Sequence, residues 1–369
     1  MKIETSREAL LGGLNTVSGA VLSGNVAPIW QNVLFEVKDN VLTIIAANQE
    51  TQIKTTCEVK SDKEFSVTVA AAKLRDILNK IAPQTVIKME FSKEKVKLSA
   101  AKSVFNLAVL SASDFTFLSG GETKRKTLPA ISAKNLLRAL RYVQYASAQQ
   151  SHRMSLNGVL LDMAADGVWL VATDGHRMAL EKLSENTEKK ETQTILPRKS
   201  AAELARNLSA LDEGEPVEVD YNERTVRFNT SSFELISNLI DEKFPDYREV
   251  VPRNNDKTVK IEREELRASL ERVSVMGERK ATVILNLSAG NLQVSCTGRE
   301  KDMGSDSIVV EYKGENMEIG FNVSFLLDML KEVGENVLTM KISEPSASVL
   351  FAAADEKCHF RYVVMPIRL

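Results

Sequence analysis

The chain has few of the residues from which disulfides and metal sites are built. Only three of its 369 residues are cysteines and only three are histidines. The cysteines are widely separated without a C-x-x-C pair, which is typical of reduced thiols in the cytosol. The histidines occupy different sequence contexts without an evident metal-ligating partner. We therefore predict no metal and no cofactor. The residues concerned are Cys57, Cys296, Cys358, His152, His176 and His359.

An excess of charge and a long apolar run are also missing. Lysine and arginine number 48 against 50 for aspartate and glutamate, a net charge of −2. No global basic charge therefore indicates nucleic-acid binding, and any polyanion must be met locally. No apolar run approaches membrane-spanning length, and the charged start is unlike a secretion signal. We expect a soluble, cytoplasmic protein.

Motifs of common catalytic sites are absent as well. The chain has no G-x-x-x-x-G-K-[ST], G-x-G-x-x-G, H-E-x-x-H or G-x-S-x-G sequence. The best candidate for an enzyme site is T-D-G-H-R at 173–177, which combines an acid, a base and a cation. However, Asp-Gly is ordinary turn chemistry at the end of a predicted strand. We predict that the chain is not an enzyme; the alternative requires a nucleophile or a metal near 173–177.

One helical pattern occurs three times. Segments 7–17, 133–143 and 263–273 each place two leucines and a valine at i, i+4 and i+7, which is one face of a helix. The spacings of 126 and 130 residues have the size of a whole domain, so we predict three copies of one fold. The three sets are Leu10, Leu14 and Val17; Leu136, Leu140 and Val143; and Leu266, Leu270 and Val273.

The same elements are predicted after each helix. Two β-rich runs are joined at Asp39-Asn40, Asp166-Gly167 or Gly290-Asn291, which supply the positive φ of a tight hairpin. A strand, a second helix and further strands complete each copy. The predicted fold class is therefore α+β, with three tandem copies of a domain in which two helices pack on antiparallel sheets.

Polar segments at 119–126 and 252–257 are typical of exposed linkers. The predicted domains are therefore 1–125, 126–254 and 255–369. Helix starts are predicted from Thr5 with Glu8, which form a capping-box pattern, and from Ser132 and Ser324 as N-caps.

Several segments together resemble one known family. They are L-N-G (156–158), T-D-G-H-R (173–177), F-P-D-Y-R (244–248), E-I-G-F-N-V-S (318–324) and Y-V-V-M-P-I-R-L (362–369). They resemble the bacterial DNA polymerase III β subunit family, the replicative sliding clamps, and the resemblance extends over essentially the whole chain. It implies a non-catalytic processivity factor. The implied fold is a six-domain ring of two head-to-tail chains, with helices lining the hole and sheets outside.

The number of helices is compatible with such a ring. Helices of roughly 10 Å diameter leave a hole of roughly 10 Å when six close a circle, and roughly 25 to 30 Å when twelve do. A DNA duplex, about 20 Å wide, therefore requires the homodimer. The resemblance implies that Phe105 and Leu107 of one chain pair with Val275 and Met276 of the next. The alternative is that Phe105 and Leu107 face their own core.

Basic residues on the predicted helices are candidate contacts to DNA phosphates, which carry no sequence information and so suit a sliding ring. Each could instead belong to a solvated helix face. Glu264, Glu265 and Glu271 should keep the attraction modest, so that retention on DNA is topological. The candidates are Lys73, Lys80, Lys134, Arg138 and Arg141, with Arg263, Arg267 and Arg272 on a comparable helix. The resemblance adds Gln149, Gln150, Arg153, Arg198 and Lys199.

The resemblance also implies a cleft between copies two and three. It would bind short extended peptides of client proteins, often of the pattern Q-x-x-[LM]-[FL]. Met and aliphatic side chains suit partners of varied sequence, whereas Glu249 stands where relatives often carry a basic residue. The corresponding positions are Leu156, Thr173, Gly175, His176, Arg177, Met178, Pro245, Val250, Phe325, Ser348, Val363, Met365, Pro366, Ile367, Arg368 and Leu369.

The predicted function is that of a DNA sliding clamp that tethers the replicative polymerase. The predicted partners are encircled duplex DNA, a second copy of the chain, the polymerase α subunit and the clamp loader. Other polymerases, ligase and mismatch-repair proteins would use the same peptide cleft. A protein-interaction scaffold that does not touch DNA is the alternative, and it predicts equal loss from circular and linear DNA.

Overall fold

The computed structural model describes residues 1–118, 124–185, 191–277, 281–298, 302–355 and 357–369. Within these residues the chain is α+β, and each predicted copy contains the predicted series of elements. The bounds of the elements follow, copy by copy.

The first copy begins with a strand that runs directly into a helix. Its elements are β1 (Lys2–Ser6), α1 (Arg7–Val17), β2 (Asn32–Lys38), β3 (Val41–Ala47), β4 (Thr51–Glu58), β5 (Lys60–Ser61), β6 (Phe65–Ala70), α2 (Ala71–Lys80), β7 (Val86–Phe91), β8 (Lys95–Ala100) and β9 (Ser103–Leu110).

The second copy repeats this order, without a counterpart of β5 in the described residues, and ends with a short additional helix. Its elements are β10 (Lys126–Ser132), α3 (Ala133–Gln144), β11 (Gly158–Ala164), β12 (Gly167–Thr173), β13 (Arg177–Ser184), β14 (Thr192–Pro197), α4 (Arg198–Leu208), β15 (Pro216–Tyr221), β16 (Thr225–Asn229), β17 (Phe233–Asn238) and α5 (Tyr247–Val250).

The third copy repeats the order once more. Its elements are β18 (Lys257–Glu262), α6 (Arg263–Ser274), β19 (Thr282–Ser288), β20 (Asn291–Thr297), β21 (Met303–Val309), β22 (Met317–Asn322), α7 (Val323–Glu332), β23 (Val337–Ile342), β24 (Val349–Ala353) and β25 (Arg361–Val364).

The repeated apolar face of the first helix in each copy is buried. The two leucines and the valine of α1, α3 and α6 are each at most 3% exposed. Burying one such side chain contributes about 1.5–3 kcal/mol relative to leaving it in water. The spacing of these residues therefore correctly predicted both the helix and the face that packs on the sheet.

The predicted hairpin turns are confirmed. Asp39 and Asn40 have φ of 51° and 60°, Gly167 has 140° and Gly290 has 75°. The flanking strands are antiparallel in all three copies. The turn residues thus set the connection between β2 and β3, between β11 and β12, and between β19 and β20.

Two predicted helix caps are wrong. The N-cap of α1 is Ser6, which accepts a hydrogen bond from the Ala9 amide, while the Thr5 hydroxyl donates to the Glu58 carbonyl from within β1. The N-cap of α7 is Asn322, whose side chain accepts from the amide of Ser324. In both cases the N-cap is the last residue of the preceding strand and not the residue that the sequence pattern predicted. Ser132 is the last residue of β10, directly before α3.

Contacts divide the chain into two compact units, 1–134 with 206–239, and 135–205 with 240–369. The first unit contains a 13-stranded sheet, in the order β10-β15-β16-β17-β4-β3-β2-β6-β9-β8-β7-β1-β5. The second contains an 8-stranded sheet, β14-β11-β12-β13-β25-β24-β23-β18, and a 4-stranded sheet, β21-β20-β19-β22. The predicted boundaries at 125 and 254 lie just before β10 and β18 and stay predictions.

Strands of neighbouring copies share sheets. In the first unit β17 of copy two pairs antiparallel with β4 of copy one. In the second unit β25 of copy three pairs with β13 of copy two. The last strand of a copy thus pairs with the strand that follows the hairpin of the preceding copy. This is why the chain forms two compact units although its sequence repeats three times.

Candidate functional site

The segment T-D-G-H-R at 173–177 forms a closed turn between β12 and β13. The Thr173 hydroxyl donates to the Arg177 carbonyl at 2.7 Å and accepts from the Gly175 amide at 3.1 Å. One oxygen of Asp174 accepts from the amides of His176 and Arg177. Gly175 has φ of 91°, which favours glycine. The acid of the enzyme alternative is therefore engaged in holding the turn.

Among the described residues, no group of histidine, cysteine and carboxylate side chains could hold a metal ion. The three cysteines are free, and burial raises the pKa of the Cys57 thiol to about 11 and that of Cys358 to about 12. Thiols with raised pKa values are poor nucleophiles near neutral pH.

Arg177 connects this turn to helix α7. Its Nε donates to Asp174 at 3.0 Å, its Nη1 to Asp328 at 2.8 Å and its Nη2 to the Tyr145 carbonyl at 2.9 Å. The guanidinium carbon lies 4.5 Å from the ring centroid of Phe325. The side chain is only 9% exposed. Residues from both copy two and copy three therefore fix this cation.

The C-terminal segment lies along the same region. The Met365 amide donates to the His176 carbonyl at 2.9 Å, and the Ile367 amide donates to the Gly320 carbonyl at 2.8 Å. A Cβ at Gly320 would lie 2.8 Å from the end of the Leu369 side chain and 3.1 Å from the Ile367 carbonyl, so the glycine lets the tail approach the strand closely. Met365, Ile367 and Leu369 remain 51%, 39% and 63% exposed. The tail therefore offers an anchored apolar surface.

The predicted cleft residues occupy distinct positions in the second unit. Thr173, Gly175, His176 and Arg177 form the turn, Phe325 lies against Arg177, and Met365 to Leu369 form the tail. Met178 and Val363 are paired across β13 and β25 and belong to one buried cluster with Phe244 and Tyr247. Pro245 and Val250 are exposed beside that cluster, Leu156 is buried and Ser348 is half-buried.

A separate cleft of about 1220 Å³ adjoins β14 and the segment around Tyr247. Pro245 is the one predicted peptide-cleft position that lines it, together with Arg153 from the predicted DNA contacts. Buried Asp162 accepts from the Tyr247 hydroxyl at 2.6 Å in its wall. This cleft is thus not the site that the sequence predicted.

The predicted DNA contacts differ in solvent exposure and in whether a carboxylate of the chain already pairs with them. Lys73, Lys80, Arg141 and Lys199 are exposed on α2, α3 and α4, whereas Arg198 is half-buried. Lys134 forms an ion pair with Glu213 at 2.6 Å. Gln149, Gln150 and Arg153 are exposed in the connection from α3 to β11.

The arginines of α6 are largely engaged within the chain. Arg263 donates to the carbonyls of Leu330 and Val333 at the end of α7. Arg267 lies 2.8 Å from Glu264 and 3.7 Å from Glu271. Arg272 bonds to Asp306. These contacts favour a structural role over phosphate binding for this helix.

Arg138 forms an ion pair with a buried glutamate. Its Nη2 lies 2.8 Å from Glu181, whose side chain is 0% exposed. Burial raises the pKa of Glu181 to about 7, with Arg138 opposing and Glu335 reinforcing the shift. Arg138 is itself 40% exposed, so its charge is shared between this carboxylate and solvent.

The predicted dimer residues lie within strand β9 and directly after helix α6. Val275 and Met276, directly after α6, are 77% and 41% exposed. On β9, Leu107 is 9% exposed and Phe105 is half-buried. The burial of Leu107 favours the alternative that it faces its own core, and the pairing of these four residues stays a prediction.

The chain matches three family models in order. Residues 1–119 match the DNA polymerase III beta subunit N-terminal domain, 130–246 the central domain and 248–368 the C-terminal domain. The beta sliding clamp of Pseudomonas aeruginosa is 35% identical over 372 residues, and that of Escherichia coli K12 is 32% identical over 373. Both alignments cover 100% of each chain.

The fold of the chain is similar to that of solved structures over the same length. The DNA polymerase III subunit beta of P. aeruginosa bound to griselimycin superposes with a TM-score of 0.93 at 33% identity. The clamp of Caulobacter crescentus gives 0.89 at 28%. Each covers 100% of both chains. In the described residues, no helix has the length and apolarity to cross a membrane.

These matches define the class of the protein, a non-catalytic processivity factor of a DNA polymerase built from three tandem clamp domains. The chain belongs to the bacterial DNA polymerase III β subunit family, the β sliding clamps.

Several residues of the site were not predicted from the sequence. Asp328 and Tyr145 hold Arg177, and Gly320 receives the tail. A glycine inside the strand M-E-I-G-F-N signals close approach of another backbone, so Gly320 could have been found. No sequence pattern identifies Asp328, because its partner Arg177 lies in another copy. None identifies Tyr145 either, because it binds Arg177 through its backbone carbonyl, which every residue has.

Proposed function

We propose that two copies of this chain close head to tail into a ring that encircles duplex DNA and tethers client proteins. The single observation that carries the ring is the pairing of strands between successive copies. The last strand of copies two and three pairs with β4 and β13 of the preceding copy. Within the described residues, the equivalent strands that lack such a partner are β9 of copy one and β21 of copy three.

Both of these strands have an available edge. Within the described residues β21 pairs with β20 only, and residues 103–108 of β9 pair with β8 only. An open edge is a template for pairing with another chain. If β9 of each chain pairs with β21 of the other, the two contacts between chains repeat the strand pairing that joins successive copies within a chain. The six copies then close into a ring with twofold symmetry.

The DNA contacts are expected to be weak and independent of sequence. Exposed Lys73, Lys80, Arg141 and Lys199 can approach phosphates. The basic residues that are paired with carboxylates or carbonyls are Lys134, Arg138, Arg263, Arg267 and Arg272. Phosphate contacts without base contacts allow sliding. We therefore expect retention to depend on encirclement and not on affinity.

Client proteins are proposed to bind at the turn 173–177 and the C-terminal tail. Exposed Met365, Ile367 and Leu369 provide apolar contacts, and Met side chains adapt to partners of varied sequence. The proposed clients are the replicative polymerase, the clamp loader, other polymerases, ligase and mismatch-repair proteins, each through a short peptide in the cytoplasm. Tethering raises the effective concentration of a polymerase at its template.

The test compares circular and linear DNA. The protein is loaded with clamp loader and ATP on a nicked circular plasmid, and half of the sample is then cut once by a restriction enzyme. Gel filtration measures the protein that stays with the DNA. We expect retention on the circle and loss from the cut plasmid. Equal loss from both would favour the DNA-independent scaffold.

A further inference from the structure

We propose that Asp328 is a positioning residue for the client-peptide cleft, which it shapes by holding Arg177 against Phe325. Arg177 then acts as an internal tie between copies two and three. This inference rests on the proposed function, because it concerns the same cleft.

The guanidinium of Arg177 is held by three hydrogen bonds within the chain. Its Nε, Nη1 and Nη2 donate to Asp174, Asp328 and the Tyr145 carbonyl at 2.8–3.0 Å. The side chain is 9% exposed. A guanidinium carries five N–H donors, so these three bonds fix its position without using all of them. Because the side chain is so little exposed, a peptide is expected to contact mainly the exposed groups around it.

The two carboxylates that bind Arg177, Asp174 and Asp328, stabilise different parts of the site. Asp174 is three residues away in the same turn, so its bond to Arg177 stabilises that turn alone. Asp328 lies 151 residues further along the chain, on α7. Its bond to Arg177 is thus the charged connection between the turn of copy two and the helix of copy three.

Phe325 depends on this connection for its position. It lies three residues before Asp328, so both side chains project from the same face of α7. The Arg177 guanidinium lies 4.5 Å from its ring centroid, within cation–π range. The Phe325 carbonyl also accepts from the Tyr362 hydroxyl at 2.8 Å, a bond that fixes the backbone, whereas the Arg177 contact acts on the ring itself. Phe325 is half-buried, so one part of its ring is available to an apolar peptide side chain.

Asn at position 328 keeps one oxygen acceptor but removes the negative charge, so a nearly buried guanidinium would lose one of its two counter-ions and a charge-assisted hydrogen bond. Losing that charge partner is costly, so Arg177 should turn toward Asp174 or solvent and withdraw from Phe325. Asp328 is 46% exposed, and solvent therefore reduces the effect. We expect the affinity for a cleft peptide to fall about 5- to 20-fold.

The experiment uses the full-length chain and a fluorescein-labelled pentapeptide, Gln-Ala-Ala-Leu-Phe. Fluorescence polarisation gives Kd for the unsubstituted chain, Asp328→Asn, Asp328→Glu and the control Glu332→Gln, and Tm is measured for each. Glu332 lies one turn further along α7, and its substitution removes the same charge. We expect weaker binding for Asp328→Asn, recovery of most of the affinity in Asp328→Glu, and no change for Glu332→Gln.

A double-mutant cycle separates positioning from direct contact. In an Arg177→Met background, Asp328→Asn should weaken binding by less than twofold, because Asp328 acts through Arg177. The proposal is overturned if Asp328→Asn retains the affinity of the unsubstituted chain, or if it loses the same factor with and without Arg177. If the unsubstituted chain does not bind the peptide, the proposed cleft itself is rejected.

Discussion

The guanidinium of Arg138 lies 2.8 Å from the carboxylate of Glu181, and the Glu181 side chain is fully buried. The pair joins helix α3 to strand β13 beneath it. Glu335 and Cys358 are the other titratable groups that act on the carboxylate or are acted on by it. A buried glutamate with a single exposed counter-ion makes stability depend on pH in a range where most carboxylates do not titrate.

The pH dependence has a definite sign. The pKa of Glu181 is raised from 4.5 to about 7 in the folded chain, so the folded state keeps a proton that the unfolded state has lost. Stability should therefore fall as pH rises from about 5 to about 7. Glu181→Gln, which mimics the protonated form, should gain about 1–3 kcal/mol over the unsubstituted chain at pH 8 and almost nothing at pH 4.5. Urea unfolding at a series of pH values measures this difference; parallel curves for the two proteins would contradict it.

Arg263 should stabilise the third copy by binding the end of α7. Its side chain is 19% exposed and donates to the carbonyls of Leu330 and Val333. Arg7 makes the equivalent bond to the Leu78 carbonyl in the first copy. Because these carbonyls carry the negative end of the helix dipole, Arg263→Met should cost about 1–2 kcal/mol.

The control for this substitution is Arg272→Met on the same helix. Arg272 is 61% exposed and bonds to Asp306, and such surface pairs contribute about 0–1 kcal/mol. Denaturant unfolding of both variants gives the comparison. Equal losses would mean that binding the helix end contributes nothing specific.

The proposed dimer predicts that a charge next to α6 disrupts assembly. Val275 is 77% exposed, and Val275→Glu would place a carboxylate in the apolar contact between chains. Light scattering after gel filtration should give twice the 40.9 kDa chain mass for the unsubstituted protein and the single mass for the variant. Val86→Glu is the control, because Val86 is 49% exposed on β7, a strand paired on both sides. Loss of the dimer in both variants, or in neither, would argue against this interface.

Deleting the C-terminal tail is expected to abolish peptide binding without affecting dimerisation. Deletion of Met365 to Leu369 removes the amides that bind the His176 and Gly320 carbonyls, together with the exposed apolar side chains. Binding of the Gln-Ala-Ala-Leu-Phe peptide should be lost while the mass in solution stays that of a dimer, because β25 ends at Val364. Unchanged peptide affinity after the deletion would disprove the cleft assignment.

Much of the fold followed from local patterns. The spacing of Leu10, Leu14 and Val17 and its two repeats gave the helices, and the turn pairs gave the hairpins, because both depend on residues close in sequence. The caps at Thr5 and Ser324 were wrong, since each helix begins directly at the end of a strand and the strand's last residue is the cap.

The site was less predictable. The positions of the cleft and of the basic residues came from resemblance, and these assignments stay predictions. Which charges are available depends on partners far along the chain, such as Glu181 for Arg138 and Asp328 for Arg177. Neither partner differs in sequence from an ordinary surface carboxylate, so only the packed structure distinguishes them.

The sheets shared between copies should hold the protein together after its backbone is cut. A single cut in the linker at 252–257 would not release the third copy from the second, because β25 remains hydrogen-bonded to β13. The nicked polypeptide should therefore migrate as one particle until a denaturant separates its pieces. A fragment that contains only one copy would, in turn, expose a bare strand edge and tend to precipitate.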